Sequence, residues 1–155
     1  MGAGFSELIE ALRELASEPS IQVIYPLHMN PAVREPMIHA LGNTEGIFLI
    51  EPLGYEAFVW LMSKSFLIIS DSGGVQEEAP SLNKPVLVLR EQTERQEAVE
   101  AGTVKLIGTL KEAVVQEVRE LMVNKEAYLG MTQKSNPYGD GMAAERIVDF
   151  LAASE

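Results

Sequence analysis

Five short apolar runs govern what this chain can fold into: 21–25 (IQVIY), 47–50 (IFLI), 66–70 (FLIIS), 86–89 (VLVL) and 103–107 (TVKLI). Most are nearly continuous in Val, Ile, Leu and Phe, the pattern of strands covered on both faces. Segments with helical spacing lie between them. Phe5, Leu8, Ile9, Leu12 and Leu15 form one apolar stripe, stopped by Ser17, Glu18, Pro19 and Ser20. Pro31 suits the first turn of a second helix, which Pro36 is expected to interrupt. Residues 55–64 and roughly 75–82 read as helices, and 90–101 reads as a polar connection. Leu110, Val114, Val115, Val118, Leu121 and Met122 mark an amphipathic helix, and a last helix is expected over about 142–151, after NPYGDG. Strands alternating with helices build a parallel sheet with right-handed crossovers. The expectation is one doubly wound α/β domain over residues 1–155, with about five strands. Ligands of such sheets sit beyond the carboxyl ends of the strands. The loops after Tyr25, Ile50, Ser70 and Leu89 therefore matter most.

Composition narrows the chemistry. Twelve Lys and Arg against 23 Asp and Glu leave a net charge of −11, which argues against nucleic acid as a partner. A small phosphate site lined by backbone N–H groups stays open. Without cysteine there is no disulfide, thiolate zinc site or Cys nucleophile, and two histidines make a His-rich metal site improbable. The segment Met1-Gly2-Ala3-Gly4-Phe5 has no basic region or long apolar run, so no secretory signal is read there. No stretch approaches the roughly 18–20 apolar residues of a membrane span. A cytoplasmic location is the expectation, with no metal and no cofactor.

The sharpest local feature is FLIISDSGGVQEEAPSL, 66–82. A buried strand ends in Asp71-Ser72-Gly73-Gly74 and a helix opens there. Two glycines admit a ligand close to the backbone, and a helix start offers free N–H groups with partial positive charge. Ser72 adds a hydroxyl. This makes a diphosphate cradle without basic residues, or simply a helix cap with a tight turn. Glu77 and Glu78 follow, pointing about 100° apart, so only one can face a ligand. A carboxylate there can bind ribose hydroxyls, or merely complement the helix dipole. Arg95, in a loop with Arg90, Glu91, Thr93 and Glu94, suits a phosphate, a sugar hydroxyl or a surface ion pair. His28 follows a strand end, whereas His39 reads as a surface or half-buried helix residue. Phe58 and Trp60 are core aromatics or a stacking surface for a base.

The string SDSGGVQEEAPSLNKPVLVLREQTERQEAVEAGTVKLIG resembles the C-terminal half of the non-hydrolysing UDP-N-acetylglucosamine 2-epimerases. The likeness continues through VIYPLHMNPAVREP, EPLGYEAFVWLM and NPYGDGMAAERI, almost the whole chain. It implies a Rossmann-like domain corresponding to the C-terminal half of a GT-B-type fold. It also implies an isomerase that interconverts UDP-N-acetylglucosamine and UDP-N-acetylmannosamine by eliminating UDP and adding it back, consuming no metal or nicotinamide. Ser72, Gly73 and Gly74 match the diphosphate turn, Glu78 the ribose acid, Arg95 a UDP-sugar-binding arginine and Phe58 an aromatic beside the uracil. His28 and Asn30 match a recurrent motif without an assigned contact. Leu53 stands where some members have Gln, which puts a base contact in doubt. Gln96 replaces a common Pro and is expected to loosen its loop.

The resemblance places the acids of the proton chemistry in an N-terminal domain, with a His-Arg-Arg-Glu type motif just ahead of the segment matching Gly2. The chain is therefore expected to bind UDP or UDP-N-acetylglucosamine and to be inactive alone, since elimination needs a base at C2. The competing readings are a stand-alone UDP-binding module, a split-enzyme half needing an N-terminal partner, and a self-associating homodimer. A glycosyltransferase half with the same fold is the nearest enzymatic alternative.

Overall fold

The first apolar stripe folds into helix α1 (Ala3–Ala16) in the computed structural model, which describes residues 3–153. Strand β1 (Val23–Pro26), helix α2 (Pro31–Leu41), strand β2 (Ile47–Ile50) and helix α3 (Tyr55–Lys64) follow. Next come β3 (Ile68–Ser70) and α4 (Gly73–Glu78), which tightens into a 3-10 turn over Ala79–Leu82, and then β4 (Val86–Val88). The chain continues through α5 (Gln96–Ala101), β5 (Val104–Leu106), α6 (Lys111–Val123), α7 (Lys125–Thr132) and α8 (Ala143–Ala152). All strand pairs are parallel. Val23 stands opposite Ile47 in one ladder, and Ile68, Val86 and Val104 stand side by side in the other.

The expected strand–helix alternation is present, with two departures in the ladder. Four of the five strands are shorter than their apolar runs, and the ladder is not continuous. It divides into β1-β2 and β3-β4-β5. Helix α3 carries the chain away from β2, and β3 pairs with β4 rather than with β1.

Burial follows the pleat of β4. Leu87 points to one face and joins Ala11 and Leu15 of α1 with Val114, Val115, Val118 and Leu121 of α6. Val86 and Val88 point to the other face and join Met62 of α3, Val75, Ala79 and Ala98. A third cluster unites Ile9, Leu12 and Ala16 of α1 with Leu27, Met37, Leu41 and Ile47. Helices thus cover both faces, as continuous apolar strands require. Helix α1 belongs to two cores at once. Where its end meets the start of β2, Gly46 has φ +81, and a Cβ there would lie 2.8 Å from the Ala16 carbonyl oxygen. Only glycine fits that approach without strain.

Pro36 does not interrupt α2, contrary to expectation. Its missing N–H removes one helical bond. Met37 and Leu41 beyond it are fully buried and hold the far turn in place. Asn30 caps the near end, its Oδ1 accepting the Ala32 N–H at 3.0 Å. Helix α5 lies inside the segment read as polar connection, and α7 lies where no element was read. Helix α8 forms as expected, but Ile147, Val148, Phe150 and Leu151 are all more than half exposed.

Truncating Leu15 to Ala removes a side chain only 2% exposed. We expect a loss of about 2–5 kcal/mol, read from urea unfolding. The α1–α6 seam also carries charge. Glu14 lies 2.9 Å from the Lys111 ammonium and 3.1 Å from Arg119. The Lys111 hydrogen bond, reinforced by the charges of Lys111 and Arg119, holds the Glu14 carboxyl below its ordinary 4.5 against the opposing effect of burial. A depressed carboxylate stabilises the fold above its unfolded value, and that contribution disappears as pH falls through the folded one. Between roughly pH 5 and pH 3 the urea midpoint of the parent chain should therefore fall more steeply than that of Glu14→Gln. Parallel slopes would count against the pair.

Candidate functional site

Beyond Ser70 the chain turns sharply. The Ser72 N–H donates to the Ser70 hydroxyl at 3.1 Å, and Ser72 becomes the extended residue preceding α4. Its own hydroxyl makes no capping bond, so the reading of Ser72 as a side-chain helix cap does not hold. The hydroxyl and the first N–H groups of the helix therefore stay available to a ligand. Of the two glycines, Gly73 is the crowded one, since a Cβ on Gly74 would meet only the Ser72 hydroxyl at 3.8 Å. A Cβ on Gly73 would meet the Arg95 guanidinium at 3.3 Å and the Glu94 carboxylate at 3.4 Å. Arg95 thus lies directly over the turn, as an arginine serving a diphosphate there would have to.

A buried polar chain holds the two loops together. Gln76, fully buried, donates through Nε2 to the Ser72 carbonyl at 3.2 Å. Its Oε1 accepts from the Thr93 hydroxyl at 2.8 Å. The Thr93 oxygen in turn accepts the Arg95 N–H at 3.1 Å. Each buried polar atom in this relay has a partner, which is what makes it rigid. Gln96 does not loosen the loop, since its Nε2 donates to the Thr93 carbonyl at 2.6 Å.

The two adjacent acids divide as their spacing requires. Glu77 pairs with Arg95, Nε to Oε1 at 2.5 Å, and Glu94 approaches the same guanidinium at 3.2 Å. Hydrogen bonding to Glu77 and the charges of both acids raise the Arg95 pKa further. Glu78 turns toward α3. Its charge, with a hydrogen bond from the Tyr55 phenol to its carboxylate, holds that phenol above its ordinary 10.0. Phe58, one turn along α3, is half-buried against the core that contains Val75 and Ala79. Asn136 straps the α7–α8 loop onto this region, donating to Ser81 Oγ at 2.6 Å and to the Glu77 carbonyl at 3.4 Å. Tyr138 beside it feels Glu97, Glu77 and Arg95.

Ser72, Gly73, Gly74 and Arg95 therefore come together beyond the carboxyl end of β3, whereas Glu78 turns to Tyr55 and Phe58 packs against the core of Val75 and Ala79. His28 and Asn30 lie beyond β1, where the His28 Nδ1 accepts the Asn30 N–H at 3.0 Å. With Asn30 used as a helix cap, only the outer nitrogen of His28 is left for a ligand. His39 is exposed, as read. Trp60, 62% exposed, turns away from this site to a separate apolar groove with Ile24, Phe48 and Leu53. Sequence reasoning missed Gln76, Tyr55 and Tyr138. For Gln76 the available signal was a polar residue on the same helical face as Val75 and Ala79.

These features define a doubly wound α/β domain in which a glycine turn opens a helix beneath one arginine. A family model for UDP-N-acetylglucosamine 2-epimerase matches residues 2–152, and the chain belongs to that family. The UDP-N-acetylglucosamine 2-epimerase of Escherichia coli K12 is 52% identical over 151 residues, 97% of this chain and 40% of that protein. The crystal structure of UDP-GlcNAc 2-epimerase from Neisseria meningitidis bound to UDP-GlcNAc superposes with a TM-score of 0.90 at 48% identity. It covers 98% of this chain and 41% of the other. An S. aureus MnaA–UDP co-structure gives 0.90 at 49%, covering 97% and 42%. The chain matches the C-terminal part of these relatives and spans about two-fifths of their length. Among the described residues no helix is long and apolar enough to cross a membrane.

Replacing Gln76 by Leu keeps the volume and removes the relay. We expect a cost of about 1–3 kcal/mol and faster hydrogen exchange at the Arg95 amide. An unchanged Arg95 amide would show that the loop holds itself.

Proposed function

We propose that this chain forms the UDP-holding part of a UDP-N-acetylglucosamine 2-epimerase. One observation carries the reading. A turn with free helix N–H groups and an arginine above it lies in a chain 48% identical to a relative solved with UDP-GlcNAc bound. In this reading the diphosphate lies on Ser72, Gly73 and Gly74 and draws Arg95 toward it from Glu77. Glu78 takes the ribose hydroxyls, which requires it to exchange its bond with Tyr55. Phe58 borders the uracil, and Leu53, in the separate groove with Trp60, makes no contact with the base.

The division of labour follows from the chemistry. Elimination of UDP from C1 needs a base at C2 and stabilisation of the departing diphosphate. The residues gathered here suit the second task. Helix N–H groups and Arg95 meet the charge that develops on the leaving oxygen. We assign no proton transfer at C2 to this chain and propose that it binds without turning over. The family's interconversion of the two sugar nucleotides then needs the acids of a companion domain, and residues 1–155 act as one binding domain.

Calorimetric titration tests this reading. UDP and UDP-N-acetylglucosamine should bind, and ATP should bind at least tenfold more weakly, a gap of about 1.4 kcal/mol. No preference for UDP at millimolar ligand overturns the reading. Glu78→Ala should weaken UDP by about tenfold and leave inorganic pyrophosphate unchanged. Equal losses for both would remove Glu78 from the ribose.

A further inference from the structure

An arginine at the start of a helix leaves that helix without its usual cap. Arg95 is the residue preceding α5, with φ −100 and ψ 56, and its side chain makes no capping bond. A residue in that position normally carries an oxygen that accepts from the second or third N–H of the helix. A guanidinium has donors and no acceptor, so it cannot take that role. The Arg95 backbone is fixed from behind, where the Thr93 hydroxyl oxygen accepts its N–H at 3.1 Å. The N–H groups that open α5, on Gln96, Glu97 and Ala98, need an oxygen from elsewhere.

The α7–α8 loop brings one. The Tyr138 phenol oxygen accepts the Ala98 N–H, the third of the helix, which is the bond a capping Ser or Asp would make. The loop is shaped to deliver that phenol. The Asn136 Oδ1 accepts the Tyr138 N–H at 3.1 Å, and the Gly139 N–H returns to the Asn136 carbonyl at 3.3 Å. Gly139, with φ +119, takes a conformation that a side chain would resist. The Asn136 Nδ2 anchors the same turn to α4, at 2.6 Å from Ser81 Oγ and 3.4 Å from the Glu77 carbonyl oxygen. One loop, distant in sequence, therefore fixes both the end of α4 that carries Glu77 and the start of α5 that follows Arg95. The guanidinium is set between them, with Nε on Glu77, Nη1 on Glu94 and Nη2 over Gly73.

We propose that Tyr138 is the positioning residue for Arg95. Its phenol supplies the cap that arginine cannot, and this leaves the guanidinium free to face the Ser72–Gly74 turn. A Ser or Asp in place of the arginine would close the helix by itself and put no cation above the turn. Arginine is tolerated there because the loop closes the helix from outside. Tyr138 touches no substrate in this role. Its consequence for binding rests on the reading of the turn as a diphosphate site, whereas the placement of Arg95 does not.

NMR tests the placement. In the unaltered chain the Ala98 amide proton should show a nuclear Overhauser contact to the Tyr138 ring, and its absence overturns the proposal. Tyr138→Phe keeps the ring and removes the oxygen. Solvent exchange should then quicken about tenfold at the Ala98 amide and at the Arg95 Nε–H. An unchanged rate at the Arg95 Nε–H overturns the proposal. Calorimetry tests the consequence. Tyr138→Phe should weaken UDP and inorganic pyrophosphate alike, by about fivefold, since Arg95 serves the part that the two share. In an Arg95→Met background the same substitution should change neither by more than about twofold. A loss that persists without Arg95 would show that Tyr138 acts on the fold and not on the arginine, and overturns the proposal. If the unaltered chain binds neither ligand, the nucleotide reading fails, and the two exchange rates decide the role of Tyr138.

Discussion

The structure depends on α1 being shared. Its fourteen residues present Ile9, Leu12 and Ala16 to one core and Ala11 and Leu15 to another. Burying a leucine side chain is worth about 1.5–3 kcal/mol, and α1 buries one in each direction. Among the described residues no strand pairing joins the two ladders, and α1 packs against both of them. Helix α3 repeats the arrangement on the other face with smaller contacts. An amphipathic helix normally needs one apolar stripe. Here the stripe is wide enough to be divided, which explains why Ala11 and Ala16, small and almost fully buried, sit among the leucines.

The site inherits its rigidity from a polar relay rather than from apolar packing. Ser72, Gln76, Thr93 and the backbone of Arg95 form one hydrogen-bonded line through the interior. It connects the loop after β3 to the loop after β4. The turn and the arginine above it are therefore positioned as a unit, while the arginine's guanidinium remains partly open to solvent between two acids.

Much of this was legible in the chain. Strand order along the sequence, the parallel class and the Ser72–Gly74 turn follow from apolar continuity and from glycine placement, which are local signals. Helix α5 was hidden because 90–101 is rich in charge and contributes only Ala98 fully to the core. Pro36 misled because its cost is one hydrogen bond, whereas Met37 and Leu41 bind the turn beyond it to the core. The partition of Glu77 and Glu78 was visible as an angle, but the partners, Arg95 and Tyr55, come from other loops. The division into β1-β2 and β3-β4-β5 had no local signal, since pairing order is a property of how the strands are arranged.

Arg95 is one of several cations already engaged. Arg34 meets Glu51, Lys105 meets Glu117, Lys111 and Arg119 meet Glu14, and Arg146 meets Asp140. Against a net charge of −11, an anion approaching from bulk solvent feels repulsion until the N–H groups at the start of α4 come within reach. Dissolved salt shortens the repulsion to about 10 Å at 0.1 M and leaves the contact dipoles nearly untouched. Encounter with an anion is therefore faster in salt than in dilute buffer, the reverse of a phosphate site steered by lysines. In the proposed reading an anion is held by proximity, with no attractive field to guide its arrival.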